Sequence, residues 1–318
     1  MKRLPVNSFR FWLILFAAGM TVLFSVIFFY LPYVVKEVKN PVAGLFNDSL
    51  TRTRPPEFGK YGLQGQTFVY TTRDTLQMSG FYVPAETPAK GTVIALHGYR
   101  SNKNKYLPVV HYFTRAGYDF VAVDLRGHNM SQGEYTGFSY LEKNDIDDLI
   151  DYLKKQGLVH GKLVLYGHSI GAATAVAVAS RRNDIDGLVL ESLFTSFNKI
   201  VPNYVAYYTG VSADSIPPEA EKWIFRRMDI PADSIRPIDQ VEKLRVPVLL
   251  FHGKQDKKVP PDHAREIYRR LQAPKRLIWI DSATHNTLWE KGGEAYFRHI
   301  IRFLDTLPPH QSSASNSL

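Results

Sequence analysis

The length, composition and charge of the chain exclude several classes of protein. With 318 residues, 45% of them hydrophobic, and no cysteine, the chain is long enough for one enzyme-sized domain but forms no disulfide bond, thiolate zinc site or cysteine nucleophile. The net charge is +9, but the basic residues form no block interleaved with aromatic residues, so we expect no nucleic-acid partner and, instead, some attraction to anionic lipid headgroups.

The N-terminal part predicts a membrane anchor. After a basic flank, residues 1–10, the stretch 11–35 carries no charge, and Phe11 to Leu31 has about the 20 residues that a spanning helix needs. A cleaved signal peptide would end in small residues, whereas Tyr30 to Val35 is bulky. Because basic residues flank both ends, with a small excess before the span, we expect a cytoplasmic N-terminus and a C-terminal domain outside the cell membrane.

The remaining chain divides into a tether, one folded domain and a tail. Residues 36–66 are rich in Pro, Gly, Arg and Thr without a period, which is typical of a linker. Residues 67–306 begin with a hairpin, Thr67–Thr72 and Leu76–Val83, and continue with alternating strands and helices, which predicts a mostly parallel sheet flanked by helices. Residues 307–318 are small and polar, and we expect them to be disordered.

Two helices of this domain are predicted by the spacing of their apolar residues. Both stripes repeat at i, i+3, i+4 and i+7, so each should face the sheet. Their members are Ile146, Leu149, Ile150 and Leu153 in the first helix, and Phe297, Ile300, Ile301 and Leu304 in the second.

A G-x-S-x-G pentapeptide, Gly167 to Gly171, lies between an apolar strand and an Ala-rich helix. A strand–turn–helix of this kind forces the central residue into a strained backbone geometry that exposes its hydroxyl group, and glycine is needed on both sides because a Cβ atom would clash. Ser169 is therefore a candidate nucleophile. A structural serine in a tight turn is the alternative.

A serine nucleophile needs a base and an acid that orients the base. In the nucleophile-elbow architecture the acid follows the serine and the histidine comes last, each on a loop after a strand. Asp256 follows the apolar run Val246–Phe251, and His285 follows the strand Arg276–Ile280. We therefore predict Asp256 as the acid and His285 as the base.

Other histidines and aspartates compete for these two roles. We expect structural roles for four histidines near the site, and the side chain of His168 should diverge because it is adjacent to Ser169 on a turn. Asp124 is expected to brace the loop of Arg126 and His128. The competing residues are His97, His128, His168 and His252 for the base, and Asp124, Asp281 and Asp262 for the acid.

The segment between the strand Gly187–Leu190 and Val246 is too long for a simple connection and is rich in apolar and aromatic residues. We predict a helical cap at about residues 192–245. Two interpretations of its aromatic residues stay open: they attach the cap to the core, or they form an acyl-binding wall over Ser169. Under the second interpretation the substrate-binding candidates are Phe194, Phe197 and Tyr204.

Four ordered motifs from about residue 66 to 306 resemble the α/β-hydrolase superfamily, especially its lipase, esterase and serine-aminopeptidase branches. They are the elbow, Leu96-His97-Gly98-Tyr99, Asp124-Leu125-Arg126-Gly127-His128, and H-G-x-x-D-x-x-V-P at His252 to Pro260. The resemblance implies an oxyanion hole formed by the backbone N–H groups of Tyr99 and Ile170. The chain departs from the family pattern at Asn129 and Ser282, where glycine is more usual, which affects loop shape.

Together these features predict a membrane-anchored α/β-hydrolase fold with a cap insertion and a Ser-His-Asp triad that cleaves carboxylic esters of small or lipid-like molecules. The chain has no metalloprotease, phosphate-cradling or dinucleotide motif, so no metal or cofactor is expected, and no obligate protein partner is evident. A serine peptidase of the aminopeptidase kind is the main alternative. A membrane-tethered binding module with an inactive hydrolase fold is the other.

Overall fold

The computed structural model describes residues 10–22, 25, 54–210, 212–215, 230–231 and 234–308. Its centre is one eight-stranded sheet. The strands are β1 (Gln66–Thr71), β2 (Gln77–Val83), β3 (Gly91–Leu96), β4 (Tyr118–Val123), β5 (Lys162–His168), β6 (Gly187–Glu191), β7 (Val248–Gly253) and β8 (Lys275–Ile280).

The sheet is mostly parallel, as the alternation of strands and helices predicts. Its order is β1-β2-β4-β3-β5-β6-β7-β8, with β2 antiparallel to both β1 and β4 and every other pair parallel. The central strands β3 and β5 are apolar along most of their length because helices cover both faces of the sheet. Their carboxyl ends lie at one edge, beside those of β7 and β8.

Seven α-helices are described between residues 54 and 308, and the core forms two apolar clusters, one on each face of the sheet. The helices are α1 (Val110–Thr114), α2 (Glu142–Lys155), α3 (Ile170–Ala179), α4 (Phe197–Thr209), α5 (Pro237–Val241), α6 (Pro261–Arg270) and α7 (Leu288–Thr306). Helices α2 and α7 confirm the two predicted stripes: each member is buried except Ile301, which is half-buried.

The described part of the predicted cap consists of α4, a short 3-10 helix (Ala213–Ser215) and α5. Phe197 and Ile200 of α4 are buried in the core cluster, so this end of the helix attaches the cap to the domain. Tyr204, two turns later, lies against the edge of the sheet that carries the candidate site. Residues 216–229 lie outside the described part of the chain.

The predicted tether overlaps the folded domain. The 3-10 helix Phe58–Tyr61 precedes β1, and the Phe58 ring packs edge-on against Phe81 with ring centroids 5.6 Å apart. The backbone N–H of Arg54 donates to Asn129 Oδ1 at 2.8 Å. Residues 54–65 are thus part of the domain surface, because an aromatic anchor and a polar contact fix them to it.

About half of the predicted anchor, residues 23, 24 and 26–35, lies outside the described residues. Residues 10–22 and 25 are described there, and they are helical. Among the described helices, none combines the length and the apolar composition that crossing a bilayer requires. Of the predicted tail, residues 309–318 are also outside the described part.

Candidate active site

Ser169 lies at the sharp turn between β5 and α3, as the pentapeptide predicts. Its backbone angles are φ 54° and ψ −114°, outside the regions that L-residues ordinarily adopt. A Cβ atom at Gly167 would lie 2.4 Å from the carbonyl oxygen of Gly171, and one at Gly171 would lie 2.2 Å from that of Leu96. Only glycine fits at these two positions. The two glycines of the pentapeptide therefore allow the close backbone contacts that the strained turn at Ser169 needs.

The structure brings Ser169, His285 and Asp256 together although they are far apart in the chain. His285 Nδ1 donates to Asp256 Oδ2 at 2.8 Å, and His285 Nε2 lies 3.1 Å from Ser169 Oγ. With the Nδ1 proton directed at the carboxylate, Nε2 is the acceptor for the serine hydroxyl proton. All three side chains are buried.

The loop that follows β7 holds Asp256 in its charged form. The backbone N–H groups of Lys258 and Val259 donate to Asp256 Oδ1 at 3.0 and 2.8 Å. Burial favours the neutral acid, but these bonds and the one from His285 outweigh it and hold the pKa of Asp256 below its usual range. His252, at the end of β7, donates from Nε2 to the carbonyl oxygen of Val259 at 2.8 Å and so braces the same loop.

Two histidines brace the loop that follows β3, where the resemblance places one oxyanion-hole amide, that of Tyr99. His97 Nε2 accepts the N–H of Leu125 at 3.0 Å, so its Nδ1–H donates to the carbonyl oxygen of Gly98 at 2.8 Å. Burial lowers the pKa of His97 to about 3, which keeps the ring neutral. His128 Nε2 accepts the N–H of Arg100 at 3.2 Å.

The second amide implied by the resemblance belongs to Ile170, the first residue of α3. The first N–H groups of an α-helix have no partner within the helix, and the helix dipole makes this end favourable for negative charge. The N–H of Ile170 therefore follows directly after the nucleophile at a helix start, a position suited to bind an oxyanion.

Asp124 belongs to a different network. It forms a fully buried ion pair with Lys103 and accepts the N–H of Lys103 at 2.8 Å. It also accepts an N–H of the Asn129 side chain at 2.8 Å, and Asn129 adopts a positive φ of 42°. Asparagine tolerates this left-handed conformation, so the loop keeps its turn without the glycine that the family usually has there.

A second carboxylate–histidine pair, which the sequence did not reveal, lies beside the first. His168 Nδ1 is 3.0 Å from Oε2 of the buried Glu191, and His168 Nε2 is 3.3 Å from Asn286 Oδ1. The hydroxyl groups of Tyr166 and Tyr296 both donate to Glu191 Oε1.

The position of the His168 side chain differs from the prediction that it diverges from the site. Its ring does not diverge from the site: it lines the cleft, and its centroid is 5.1 Å from that of His285. Burial lowers the pKa of His168 to about 4. Burial by itself would raise the pKa of Glu191, but its hydrogen-bond partners outweigh this effect and lower the pKa to about 2. The available sequence signal was a glutamate at the end of an apolar strand.

A cleft of about 250 Å³ opens beside Ser169 and His285. Tyr204 lies in it, with its hydroxyl oxygen 3.3 Å from His285 Nε2. Phe194 and Phe197, the other two substrate-binding candidates, are buried in the core and do not line this cleft. The described lining is Gly98, Tyr99, Arg100, Ser101, Lys105, His168, Ser169, Tyr204, Lys258, His285, Asn286, Trp289 and Glu290.

Sequence reasoning also missed the cations of the cleft. Lys105 comes from the 3-10 helix Lys103–Val109, a segment without a periodic pattern of apolar residues. In the part of the chain that the structure describes, no group of three or more histidine, cysteine or carboxylate side chains is placed to hold a metal ion.

Comparisons with known proteins agree with this architecture. The chain is 25% identical to YqkD of Bacillus subtilis (strain 168) over 248 residues, 77% of this chain and 81% of that protein. It is similar in fold to the esterase Pf2001 of Pyrococcus furiosus (TM-score 0.67, 23% identity, 80% of this chain and 97% of that chain). A more distant likeness is to the acylaminoacyl peptidase of Pyrococcus horikoshii (TM-score 0.58, 14% identity, 80% and 43%).

The two solved structures show an α/β-hydrolase fold. The model of the family described as serine aminopeptidase, S33, matches residues 87–218 and 234–292. These ranges make up more than half of the chain and include the elbow, the acid loop and the histidine loop. The protein therefore belongs to the serine aminopeptidase S33 family of α/β-hydrolases.

Proposed function

We propose that the protein is a serine hydrolase that cleaves carboxylic esters through an acyl-enzyme. The observation that carries the proposal is the chain of hydrogen bonds from Asp256 through His285 to Ser169, with the serine strained at the start of a helix. A nucleophile, a base and an orienting acid in this order are the parts that acyl transfer needs.

Each group has a defined role in the proposed reaction. His285 Nε2 takes the hydroxyl proton while Ser169 Oγ attacks the ester carbonyl carbon, and the oxyanion that forms is bound by the N–H groups of Tyr99 and Ile170. Asp256 stabilises the imidazolium form of His285. The imidazolium then returns the proton to the leaving alcohol, and a water molecule activated by the same base hydrolyses the acyl-enzyme. This chemistry requires no cofactor.

Steady-state hydrolysis of short para-nitrophenyl esters tests the proposal. We expect turnover by the full-length protein in detergent and by a form that begins at Arg54, which keeps the contacts of Phe58 and Arg54 with the domain. Ser169→Ala should abolish turnover in both. Turnover by Ser169→Ala at the wild-type rate would contradict the assignment.

A serine peptidase that acts near a peptide terminus is the second candidate, and the family description favours it. The same groups would attack an amide carbonyl, so the site geometry is compatible with both reactions. The described lining of the cleft includes three cations, Arg100, Lys105 and Lys258, and one carboxylate, Glu290. This excess of positive charge repels the α-ammonium group of an aminopeptidase substrate. Comparing kcat/KM for aminoacyl para-nitroanilides and acyl esters discriminates the two.

The membrane anchor and the orientation are also part of the proposal, with residues 11–35 as the span, the N-terminus in the cytoplasm and the folded domain outside. The uncharged run in the sequence supports it. The full-length protein should stay in the membrane fraction through carbonate and high-salt washes and be released by detergent, because apolar burial does not depend on ionic strength.

Protease accessibility tests the orientation separately. A protease added to spheroplasts should remove the folded domain. Complete protection until the cells are lysed would place that domain in the cytoplasm and leave the proposed chemistry unaffected.

A further inference from the structure

The cleft beside Ser169 carries an excess of positive charge. Arg100, Lys105 and Lys258 line it, and Glu290 is the single carboxylate among its described lining residues. A concave site lined by one sign of charge concentrates ligands of the opposite sign. The charges of the cleft thus favour a negatively charged substrate group close to the nucleophile.

Lys105 is the cation whose surroundings are most informative. Its side chain is half-buried, and Nζ lies 5.2 Å from the ring centroid of Tyr106 and 5.5 Å from that of Trp289. Two aromatic faces stabilise an ammonium group electrostatically but accept none of its hydrogen bonds in the ordinary sense. Among the described residues, none forms a hydrogen bond or ion pair with Nζ, so its three donors remain available to a ligand in the cleft.

The neighbouring Lys103 shows how this fold treats a lysine that has a structural role. Lys103 Nζ forms an ion pair with Asp124 and donates to Ser79 Oγ at 3.1 Å, with both charged groups fully buried. Lys105 has no such partner. Two carboxylates, Glu191 and Glu290, lie near enough to act on Lys105 electrostatically, but neither forms an ion pair with it among the described residues, and Glu191 is already bonded to Tyr166 and Tyr296.

We propose that the substrate of this site carries an anionic oxygen group, a carboxylate or a phosphate, that Lys105 binds while the ester carbonyl lies at Ser169. This inference rests on the proposed function and adds the substrate class to it. Lys258, whose Nζ lies 4.8 Å from the Tyr207 ring centroid and 5.8 Å from that of Tyr204, reinforces the attraction from the cap side of the cleft. Lys105 is the specificity-determining residue.

Matched pairs of esters test the proposal. On the acyl side the pair is para-nitrophenyl hemisuccinate and the neutral para-nitrophenyl pentanoate; on the alcohol side it is para-carboxyphenyl acetate and para-acetylphenyl acetate. In at least one pair the anionic ester should have the higher kcat/KM. Lys105→Gln should reduce that preference roughly tenfold to a hundredfold, the loss expected for one hydrogen bond between charged groups. Lys105→Arg should retain most of it.

A matched control separates this effect from a general change of charge. Lys60 also lies over the ring of the residue that follows it, Tyr61, at 5.7 Å, but it is exposed and does not line the cleft. Lys60→Gln should therefore leave both substrate ratios unchanged. Competitive inhibition by inorganic phosphate and by acetate distinguishes the two anions, since the better inhibitor identifies the preferred group.

Binding to the Ser169→Ala variant, measured by calorimetry with the same esters, gives a readout that does not require turnover. Preferential binding of an anionic ester that disappears in Ser169→Ala/Lys105→Gln supports the proposal even if esters are hydrolysed slowly. Equal kcat/KM and equal binding for both members of each pair would overturn the anionic-substrate proposal. Absence of hydrolysis of every ester and amide would instead overturn the proposed function.

Discussion

Two carboxylate–histidine pairs lie side by side at the carboxyl edge of the sheet, and they differ in what each histidine meets with its second nitrogen. In the first pair Asp256 holds Nδ1 of His285, and Nε2 faces the Ser169 hydroxyl at 3.1 Å. In the second pair Glu191 lies 3.0 Å from Nδ1 of His168, and Nε2 faces the side-chain oxygen of Asn286 at 3.3 Å.

The difference shows that a buried acid beside a histidine is not sufficient to make a catalytic base. A serine hydroxyl can donate its proton, and the oxygen becomes a strong nucleophile when the proton is removed. The Asn286 side-chain oxygen has no proton to donate and does not act as a nucleophile. Glu191 is moreover bonded to two tyrosine hydroxyl groups, which ties the second pair to the interior of the domain. We therefore propose proton transfer for the first pair and a structural role for the second.

Replacing the two histidines in turn should give the largest contrast. His285→Ala should lower kcat roughly 10⁴- to 10⁶-fold, because the residues of a triad act as a unit. His168→Gln should lower kcat by no more than about tenfold, because it removes packing and not the proton acceptor. A tenfold change corresponds to about 1.4 kcal/mol of activation free energy. Steady-state ester hydrolysis by folded variants, verified by circular dichroism, measures both. A larger loss in His168→Gln than in His285→Ala would reverse the assignment.

Replacing the two acids, Asp256 and Glu191, should give the same contrast: a large loss of kcat for the first pair and a small one for the second. Asp256→Asn should lower kcat roughly 10³- to 10⁴-fold, because the amide no longer stabilises the imidazolium form of His285. Glu191→Gln should keep most of the activity and lower the melting temperature, since it removes a buried charge that two tyrosines and His168 surround.

Asp124→Asn is the matched control for the acids. It leaves the charge of Lys103 buried without its partner, so it should cost about 3–5 kcal/mol of stability without a specific loss of kcat in the folded fraction. An inactive but folded Asp124→Asn, together with a fully active Asp256→Asn, would transfer the role of the acid to Asp124.

The second pair also predicts how stability depends on pH. The pKa of His168 is about 4 in the folded protein, below its ordinary value of 6.5, so the unfolded chain binds this proton first as the pH falls. The stability that neutral His168 contributes is complete above pH 6.5 and is lost between pH 6.5 and 4.

Urea unfolding of the wild type and His168→Gln at several pH values from 7 to 4.5 measures this effect. The stability difference between the two proteins should shrink on acidification, with a slope approaching one proton. His97 and His263, whose pKa values burial also lowers, are present in both proteins and cancel in the comparison. A difference that stays constant with pH would show that His168 binds its proton equally well in the folded and unfolded states.

The smallest effect concerns the other group that touches His285 Nε2. The Tyr204 hydroxyl lies 3.3 Å from this nitrogen, at the long end of the hydrogen-bond range. Tyr204→Phe should change kcat/KM by about two- to tenfold, as for one neutral hydrogen bond. Phe197→Ala serves as a comparison: it should lower stability by about 3–5 kcal/mol, because Phe197 is buried in the core, while the folded fraction stays active.

The sequence predicted the strands, the two amphipathic helices and the placement of Ser169, Asp256 and His285 because each leaves a local pattern. Apolar runs mark buried strands, and the two glycines of the elbow record a steric requirement. The second pair and Lys105 left no such pattern: Glu191 and Asn286 meet His168 only after the sheet is assembled. Two interpretations of Phe194 and Phe197, core attachment or an acyl-binding wall, stayed open in the sequence because aromatic composition alone does not tell a core position from a cleft.

Labelling with a fluorophosphonate tests the central claim, that Ser169 is a nucleophile activated by His285, most directly. The wild-type protein should form a covalent adduct that peptide mass spectrometry locates on Ser169. Ser169→Ala should not be labelled, His285→Ala should be labelled far more slowly, and His168→Gln should be labelled at nearly the wild-type rate. An adduct on another residue, or equal labelling of the wild type and Ser169→Ala, would contradict the account.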